Sequence, residues 1–555
     1  MTSYALGLDY GTQSARGVLV EVATGRQVAQ AVRDYAHGVM DRCMPNGEPL
    51  PAGWALQHPQ DYLDALESIV KEILSVSGAK GESIVGIGVD FTNCTILPVD
   101  ENGDPLCFKP EFADRRSAYV KLWKHNSSQP QAGRITDKVY EMNPEWLLRN
   151  GGRCSSEWMF PKMLQTLEED PDIYRAAAHF VEAGDWLTWQ LTGQLTRNIC
   201  FAGYKAMYHH INGYPKRELW AALNPDFADV VEEKLRSEVL PVGSCAGLVT
   251  EKMAQRTGLA AGTPVAVPMS DAHVATPAAG ITCAGKMLMI LGTSTVHLVM
   301  DEEEHVVPGI CGVVRDSMIP GFFSYEAGQC CCGDHFDWFV KNCVPAAYEK
   351  EAAERGVNLH TLLTEKASAL RPGQSGLVAL DWWNGNRSVL IDADLTGLIA
   401  GLTLLTKPEE IYRALIEATA YGTRRIIENF AEHGVKVDTL YAAGGIARKN
   451  PMLMQIYADV TGRDICVVDS DQTPAVGSAI YGTVAASSAR GGYDTVPEAA
   501  EAMHCAYGRT YTPDKAAQKT YDALYAEYLL LHDWFGRGGN DMMKRLKAIR
   551  KENQA

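Results

Sequence analysis

Ala5-Leu6-Gly7-Leu8-Asp9-Tyr10-Gly11-Thr12 is the stretch that decides the fold, and a second apolar run, 15–21, follows it directly. Two apolar runs around a short glycine-containing turn predict a buried β-hairpin. The same pattern returns almost half the chain later, where 286–291 and 296–300 flank the turn Gly292-Thr293-Ser294-Thr295. Two hairpins of the same design predict duplicated domains that face one another.

Strands and helices alternate along the remainder of each half. The apolar pattern predicts buried strands at 83–90, 264–269 and 439–443. It predicts amphipathic helices at 59–75 and 411–433. Gly434 follows the last helix as its expected C-cap. This alternation predicts open, mostly parallel sheets. We expect an α/β protein with two domains, 1–283 and 284–555, that meet near Gly280 to Gly285.

Composition narrows the class of protein. The chain has 555 residues with 46 % hydrophobic and 21 % charged content, which suits large globular cores, and a net charge of −17. An acidic surface disfavours nucleic acid and anionic lipid as partners. The N-terminal residues do not read as a secretory leader, and no apolar run is long enough to span a bilayer. The 14 cysteines follow no disulfide spacing, so we expect reduced thiols and a cytoplasmic protein.

The two hairpin turns carry phosphate-binding chemistry. Gly11 and Thr12 in the first turn offer backbone amides and a hydroxyl to phosphate oxygens. Asp9 would repel a triphosphate unless a Mg²⁺ ion lay between them, which makes Asp9 the candidate metal residue. Alone, such a turn is as often an ordinary hairpin. The second turn, Gly292-Thr293-Ser294, supplies matching donors, so the pair could clamp phosphates from both sides.

A glycine-rich loop follows the predicted strand 439–443. Gly444 and Gly445 would let an adenine and its ribose approach the backbone, with Asn450 nearby. The plain alternative is a helix entry after a strand. The small residues of 475–482 predict a helix that packs closely against another helix, a structural role. The chain contains neither a GxxxxGK[ST] loop nor an HRD and DFG set, so P-loop and protein-kinase chemistry are not indicated.

The order of these elements resembles the ATPase fold of sugar kinases, actin and heat-shock chaperones. The phrases GLDYGT, GIGVD, SSEWM, GTST, GICG, EAGQ, DWWNG and GGIARKN run through nearly the whole chain. They resemble the FGGY carbohydrate kinases, and most of all the members that act on L-ribulose. The resemblance implies two actin-like (ribonuclease H-like) domains around an active-site cleft, with ATP as co-substrate and Mg²⁺. It implies phosphorylation of L-ribulose to L-ribulose 5-phosphate in arabinose breakdown, and we expect a homodimer.

The resemblance also assigns residues around the sugar. Asp271 matches the catalytic base, which would accept the proton of the sugar hydroxyl as its oxygen attacks the γ-phosphorus. Lys205 and Glu326 match sugar-binding positions, and Asn93 lies in a loop that lines the sugar pocket in relatives. Without the resemblance, Asp271 would be read as a helix N-cap and the two charged residues as solvated surface groups.

Three other functions remain open at this point. The first is a kinase of another ketopentose or pentitol, such as D-ribulose, xylulose or ribitol. The second is a non-catalytic sugar sensor, which would be expected to lack a base where Asp271 stands. The third is a chaperone-like ATPase, which would be expected to end in a peptide-binding β domain, whereas the pattern from about residue 516 is helical.

Overall fold

The structure, a computed structural model, describes residues 2–553. Within these residues the strands are β1 (Tyr4–Tyr10), β2 (Ser14–Glu21), β3 (Gln27–Asp34), β4 (Leu56–Gln57), β5 (Ile84–Phe91), β6 (Ile96–Val99), β7 (Val120–Lys121), β8 (His179–Glu182), β9 (Arg197–Asn198), β10 (Val239–Leu240), β11 (Cys245–Leu248), β12 (Pro264–Ala266), β13 (Met269–Ser270), β14 (Gly285–Leu291), β15 (Thr295–Asp301), β16 (Gly312–Arg315), β17 (Phe323–Gln329), β18 (Val378–Leu380), β19 (Leu398–Ala400), β20 (Val437–Ala443), β21 (Ile465–Val468) and β22 (Tyr507–Tyr511).

The α-helices in the same part of the chain are α1 (Pro59–Ser77), α2 (Gln129–Met142), α3 (Glu145–Leu148), α4 (Met159–Glu169), α5 (Pro171–Ala176), α6 (Ala183–Thr192), α7 (Ile199–Lys205), α8 (Arg217–Leu223), α9 (Val230–Lys234), α10 (Glu251–Thr257), α11 (Ala275–Ala278), α12 (Gly333–Cys343), α13 (Ala346–Arg355), α14 (Leu359–Ser368), α15 (Pro408–Glu432), α16 (Gly445–Lys449), α17 (Pro451–Thr461), α18 (Thr473–Ala486), α19 (Val496–Met503), α20 (Lys515–Gly536) and α21 (Met542–Glu552). None of them combines the length and apolar character needed to cross a membrane.

Two seven-stranded sheets form the centres of the two halves, and each contains one of the predicted hairpins. The first has the order β11-β12-β5-β1-β2-β3, with β13 also paired to β5, and the second has the order β16-β17-β15-β14-β20-β21-β22. Strands β1 and β2 pair antiparallel from Tyr4 opposite Glu21 to Tyr10 opposite Ala15. Strands β14 and β15 do the same in the second sheet. Their apolar side chains are buried, so hydrophobic burial accounts for both hairpins.

The sheets are mixed, so the prediction of mostly parallel sheets was wrong. β5 runs parallel to β1, β12 and β13, and β20 runs parallel to β14 and β21. The hairpins and the edge strands add antiparallel pairs, since two strands joined by a tight turn must run in opposite directions. The strand predicted over 264–269 is in fact two short strands, β12 and β13.

The two long predicted helices are present. Helix α1 buries one face that includes Tyr62, Leu66 and Ile73. Helix α15 ends at Glu432, and Gly434 follows with a φ of 93°, the left-handed conformation that favours glycine after a helix. A smaller sheet, β4-β7-β6-β8, packs with α2, α4 and α8 around a separate apolar core in the first half.

Helix α18 belongs to the second half of the sequence but lies on the first sheet. A Cβ atom added to Gly7, Gly86 or Gly88 would stand 1.8–1.9 Å from a carbonyl oxygen of this helix. The strands therefore carry glycine where the helix backbone rests on them, because any side chain would occupy its space. The small residues predicted to contact another helix mainly contact these two strands, although Gly477 also lies against Val274 beside α11. The helix thus joins the two halves.

Candidate active site

Three carboxylates come together at the ends of neighbouring parallel strands in the first sheet. Asp9 on β1 lies opposite Asp90 on β5 in the strand register. Asp271 directly follows β13, and its backbone N–H donates to the carbonyl oxygen of Phe91 at 3.0 Å. The carboxyl ends of parallel strands are a usual position for functional groups in open α/β sheets. The candidate base and the candidate metal residue therefore share one edge of the sheet.

Burial and mutual repulsion alter the protonation of this group. Burial raises the pKa of Asp271 to about 7, with the Asp9 charge adding to the effect and the Ala272 N–H opposing it. Burial and the charge of Asp9 also hold the pKa of Asp90 well above its ordinary value, against a 2.6 Å hydrogen bond that Ser478 donates to Asp90. Burial raises the pKa of Asp9, although Arg16 lies 3.5 Å away and opposes this. A base with a pKa near 7 is well matched to neutral pH.

The carboxylates fit a divalent cation. Mg²⁺ prefers carboxylate oxygens together with water and phosphate oxygens. One oxygen of Asp90, Oδ1, is buried without a hydrogen-bond partner in residues 2–553, and Asp9 lies next to it in the sheet. A bound cation would offset the repulsion between the carboxylates and would give the unpaired oxygen of Asp90 a partner.

A cleft of about 430 Å³ opens beside these carboxylates. It is lined by the candidate metal residue Asp9, the candidate base Asp271 and six of the eight residues that the sequence assigned to ATP, namely Gly11, Gly292, Thr293, Ser294, Gly444 and Gly445. Gly444 has a φ of 99°, and a Cβ atom there would lie 2.4 Å from the carbonyl oxygen of Leu291, so close backbone packing requires glycine. The two hairpin turns and the glycine loop thus converge on one space.

Two of the predicted nucleotide residues do not line this cleft. The hydroxyl of Thr12 accepts a 3.0 Å hydrogen bond from the indole N–H of Trp123. The side-chain oxygen of Asn450 caps helix α17 by accepting from the backbone N–H of Leu453 at 3.0 Å. Both side chains already have structural partners in the protein.

The predicted sugar residues Lys205 and Glu326 form an ion pair between the two halves. Lys205 ends α7 in the first half, Glu326 lies on β17 in the second, and Nζ and Oε1 are 3.4 Å apart. Asn150 holds this end of α7 by donating to the carbonyl oxygens of Gly203 and Tyr204. Burial alone would raise the pKa of Glu326, but Lys205 and His273 hold it well below its ordinary value. The pair is therefore ionised and fixed in place.

His273 is a further residue of this group, and it went unassigned in the sequence although it lies two positions after Asp271. Its Nε2 is 3.1 Å from Oε2 of Glu326, and its ring stacks on Tyr204 at 4.5 Å. Burial alone would lower the pKa of His273, but Cys200 and Glu326 raise it to about 10. His273 thus contacts Glu326, the carboxylate predicted to bind the sugar, and it lies two positions along the chain from the candidate base.

The buried side chain of Lys162 supports the loop that contains Asn93. Lys162 donates to the carbonyl oxygens of Cys94 and Leu122, and Cys94 has a φ of 65°, which is uncommon for a residue with a side chain. The side-chain oxygen of Asn93 accepts from the N–H of Cys94 at 2.8 Å, while Nδ2 has no partner among residues 2–553. The loop therefore presents a free amide donor from a rigid support.

Some cleft residues carried no sequence signal. Arg16, Ser470, Asp471 and Thr473 line the cleft but belong to no motif identified above. Arg16 lies on the hairpin strand opposite Asp9, so the strand register could have indicated it. Ser470 and Asp471 lie between β21 and α18, and Thr473 is the first residue of α18. Only the tertiary structure brings this segment to the cleft.

Comparison with solved structures shows the fold. Gluconate kinase from Lactobacillus acidophilus superposes with a TM-score of 0.80 over 97 % of this chain and 99 % of that one, at 15 % identity. Xylulose kinase from Rhodospirillum rubrum gives a TM-score of 0.77 over 95 % and 98 %, at 22 % identity. The predicted fold class, two actin-like α/β domains, is confirmed.

Sequence comparison identifies the family. The chain is 54 % identical to the ribulokinase of Bacillus licheniformis over 97 % of both chains, and 52 % identical to that of Shouchella clausii over 99 % and 98 %. Residues 4–276 match the N-terminal domain of the FGGY family of carbohydrate kinases, and residues 287–486 match the C-terminal domain of the same family. The chain therefore belongs to the FGGY family of carbohydrate kinases and is a sugar kinase with ATP as its co-substrate.

Proposed function

We propose that this chain transfers the γ-phosphoryl group of ATP to L-ribulose, forming L-ribulose 5-phosphate for L-arabinose catabolism. The observation that carries the proposal is the 54 % identity to the ribulokinase of Bacillus licheniformis over 97 % of both chains. The Lys205–Glu326 pair supports it, because a cation and a carboxylate held 3.4 Å apart can bind neighbouring hydroxyls of a sugar.

Asp271 acts as the general base. Its carboxylate accepts the proton of the primary hydroxyl, and the freed electron pair of that oxygen forms the new bond to the γ-phosphorus as the bond to ADP breaks. A pKa of about 7 leaves a large share of Asp271 deprotonated at neutral pH. The backbone amides of the two hairpin turns donate to phosphate oxygens and stabilise the charge that develops there.

The remaining assignments are Gly11, Thr12, Gly292, Thr293, Ser294, Gly444, Gly445 and Asn450 for ATP, and Asn93, Lys205, Glu326 and Asp271 for the sugar. Asp9 would hold Mg²⁺, which neutralises phosphate charge when it is bound. Thr12 and Asn450 would contribute through the backbone or the shape of their loops, since their side-chain oxygens already accept hydrogen bonds.

Three further proposals concern the protein as a whole. The division into domains 1–283 and 284–555 is supported by the two sheets, which lie one in each range. Helix α18 belongs to the second range but packs on the sheet of the first. If the cleft closes, we therefore expect the chain segments that lead into and out of α18 to bend while the helix keeps the two halves joined. A cytoplasmic location is supported by the similarity to bacterial ribulokinases. A homodimer is proposed as an expectation that follows from the resemblance to the family.

The test is the release of ADP with ATP, Mg²⁺ and a panel of ketopentoses and pentitols. L-Ribulose should give the highest kcat/KM, and Asp271→Asn should lower kcat by about 10²–10⁴-fold while sugar binding persists. Asp172→Asn is a suitable control, because Asp172 is an exposed helix residue, and it should behave like the parent. A higher kcat/KM for D-ribulose, xylulose or ribitol would select the alternative substrate, and no stimulation by any sugar would favour a sensor.

A further inference from the structure

Arg387 follows the aromatic motif 382–385 and is held against strand β17 by its neighbour. The N–H of Ser388 donates to the carbonyl oxygen of Gly328 at 3.1 Å, and the Ser388 hydroxyl accepts from the N–H of Gly328 at 3.2 Å. These two hydrogen bonds fix the position of this segment along β17. The backbone of Arg387 therefore has a defined place next to the strand that carries Glu326.

The side chain of Arg387 lies beside Glu326. Gly328 is two residues after Glu326, so both positions face the same side of β17. A Cβ atom on Gly328 would lie 3.3 Å from Cδ and 3.5 Å from Nη1 of Arg387. The arginine thus extends across the bare Cα of Gly328, on the face of the strand from which Glu326 projects. The glycine makes room for it there.

The guanidinium of Arg387 has no acidic partner of its own. Glu326 is already paired with Lys205 at 3.4 Å and His273 at 3.1 Å. Within residues 2–553 the guanidinium makes no ion pair within 4.0 Å and no hydrogen bond to an oxygen. Burial alone would lower the pKa of Arg387, but Cys311, Glu157, Cys330 and Glu326 hold it above its ordinary value. Arg387 is therefore a charged group with up to five N–H donors to offer to a ligand.

We propose that Arg387 is a further sugar-binding residue, which donates to two neighbouring oxygens of the ketopentose held by Lys205 and Glu326. The inference rests on the proposed function, since it concerns the same sugar site. A guanidinium has a planar fork of donors, so it suits an adjacent hydroxyl pair or a hydroxyl next to a keto oxygen. A donor fork fixed beside β17 would then help to select sugars in which these oxygens point to one side.

The first test compares Arg387→Gln and Arg387→Lys with the parent in steady-state kinetics. Arg387→Gln should raise the KM for the sugar by roughly tenfold to a hundredfold, because a charge-assisted hydrogen bond is lost, while the KM for ATP changes less than twofold. Arg387→Lys keeps the charge but not the fork, so its loss should be smaller. Arg371→Gln is the matched control, because Arg371 is exposed in the same half, and its KM values should equal those of the parent.

The second test identifies the sugar oxygens. Each hydroxyl of the ketopentose is removed in turn in deoxy analogues, and binding to the parent and to Arg387→Gln is measured by calorimetry without ATP. The analogue that lacks the oxygen bound by Arg387 should bind the parent more weakly than the intact sugar does. Its affinity for Arg387→Gln should be only slightly lower than its affinity for the parent, because the same hydrogen bond is already missing. If every analogue shows additive losses, or if Arg387→Gln keeps the parental KM for the sugar, the inference fails. A parent that no sugar stimulates would instead overturn the proposed function.

Discussion

Gly88→Ala should destabilise the protein strongly, because α18 leaves no space for one methyl group on β5. The added Cβ would lie 1.8 Å from the carbonyl oxygen of Ser478, whereas such contacts are essentially never below 3.0 Å. The helix must therefore move by about 1 Å or more, and overpacking of this kind costs about 1–3 kcal/mol. The same movement lengthens the 2.6 Å hydrogen bond from Ser478 to Asp90, and a buried group that loses its partner costs about 1–3 kcal/mol more. We expect a total of about 2–6 kcal/mol.

The assay is urea unfolding followed by tryptophan fluorescence, with sugar kinase activity measured on the fraction that remains folded. Gly133→Ala is the matched control, because Gly133 lies inside helix α2 with nothing within 4 Å of the added Cβ. Alanine favours a helix over glycine by roughly 0.5–1 kcal/mol, so this variant should be slightly more stable than the parent. A Gly88→Ala variant within 1 kcal/mol of the parent would refute the close packing of helix and strand.

Three other predictions concern catalysis. The kcat/KM for the sugar should rise with pH through about 7, because the raised pKa of Asp271 leaves the base protonated below that value. Asp271→Asn should remove this rise. A flat pH profile of kcat/KM from pH 6 to 8 would contradict the prediction. Lys205→Met should raise the KM for the sugar by roughly tenfold or more, with the KM for ATP nearly unchanged, because it removes the cation 3.4 Å from Glu326; equal effects on both substrates would indicate a general disturbance. Chelation by EDTA should stop turnover and excess Mg²⁺ should restore it, because we propose that Asp9 holds a Mg²⁺ ion beside the phosphates; activity that survives chelation would exclude this role.

Local sequence pattern was sufficient for the parts of the fold that depend on neighbouring residues. The hairpins of β1–β2 and β14–β15 were predicted because two short apolar runs around a glycine-containing turn favour a pair of buried strands. Helices α1 and α15 were predicted by their apolar periodicity. The sugar residues were different, since Lys205, Glu326 and Asp271 were assigned through the resemblance to a family and not through any physical signal in the chain.

By itself, the sequence determined the two hairpins, the long helices and the family, because each depends on local periodicity or on motifs that can be read in order. Only the tertiary structure decided which distant groups meet. It placed α18 on the first sheet, where glycines permit contact, and it brought His273 against Glu326 and Arg387 across Gly328. Such contacts join residues tens to hundreds of positions apart, and they depend on how whole sheets and helices pack, which no local pattern encodes.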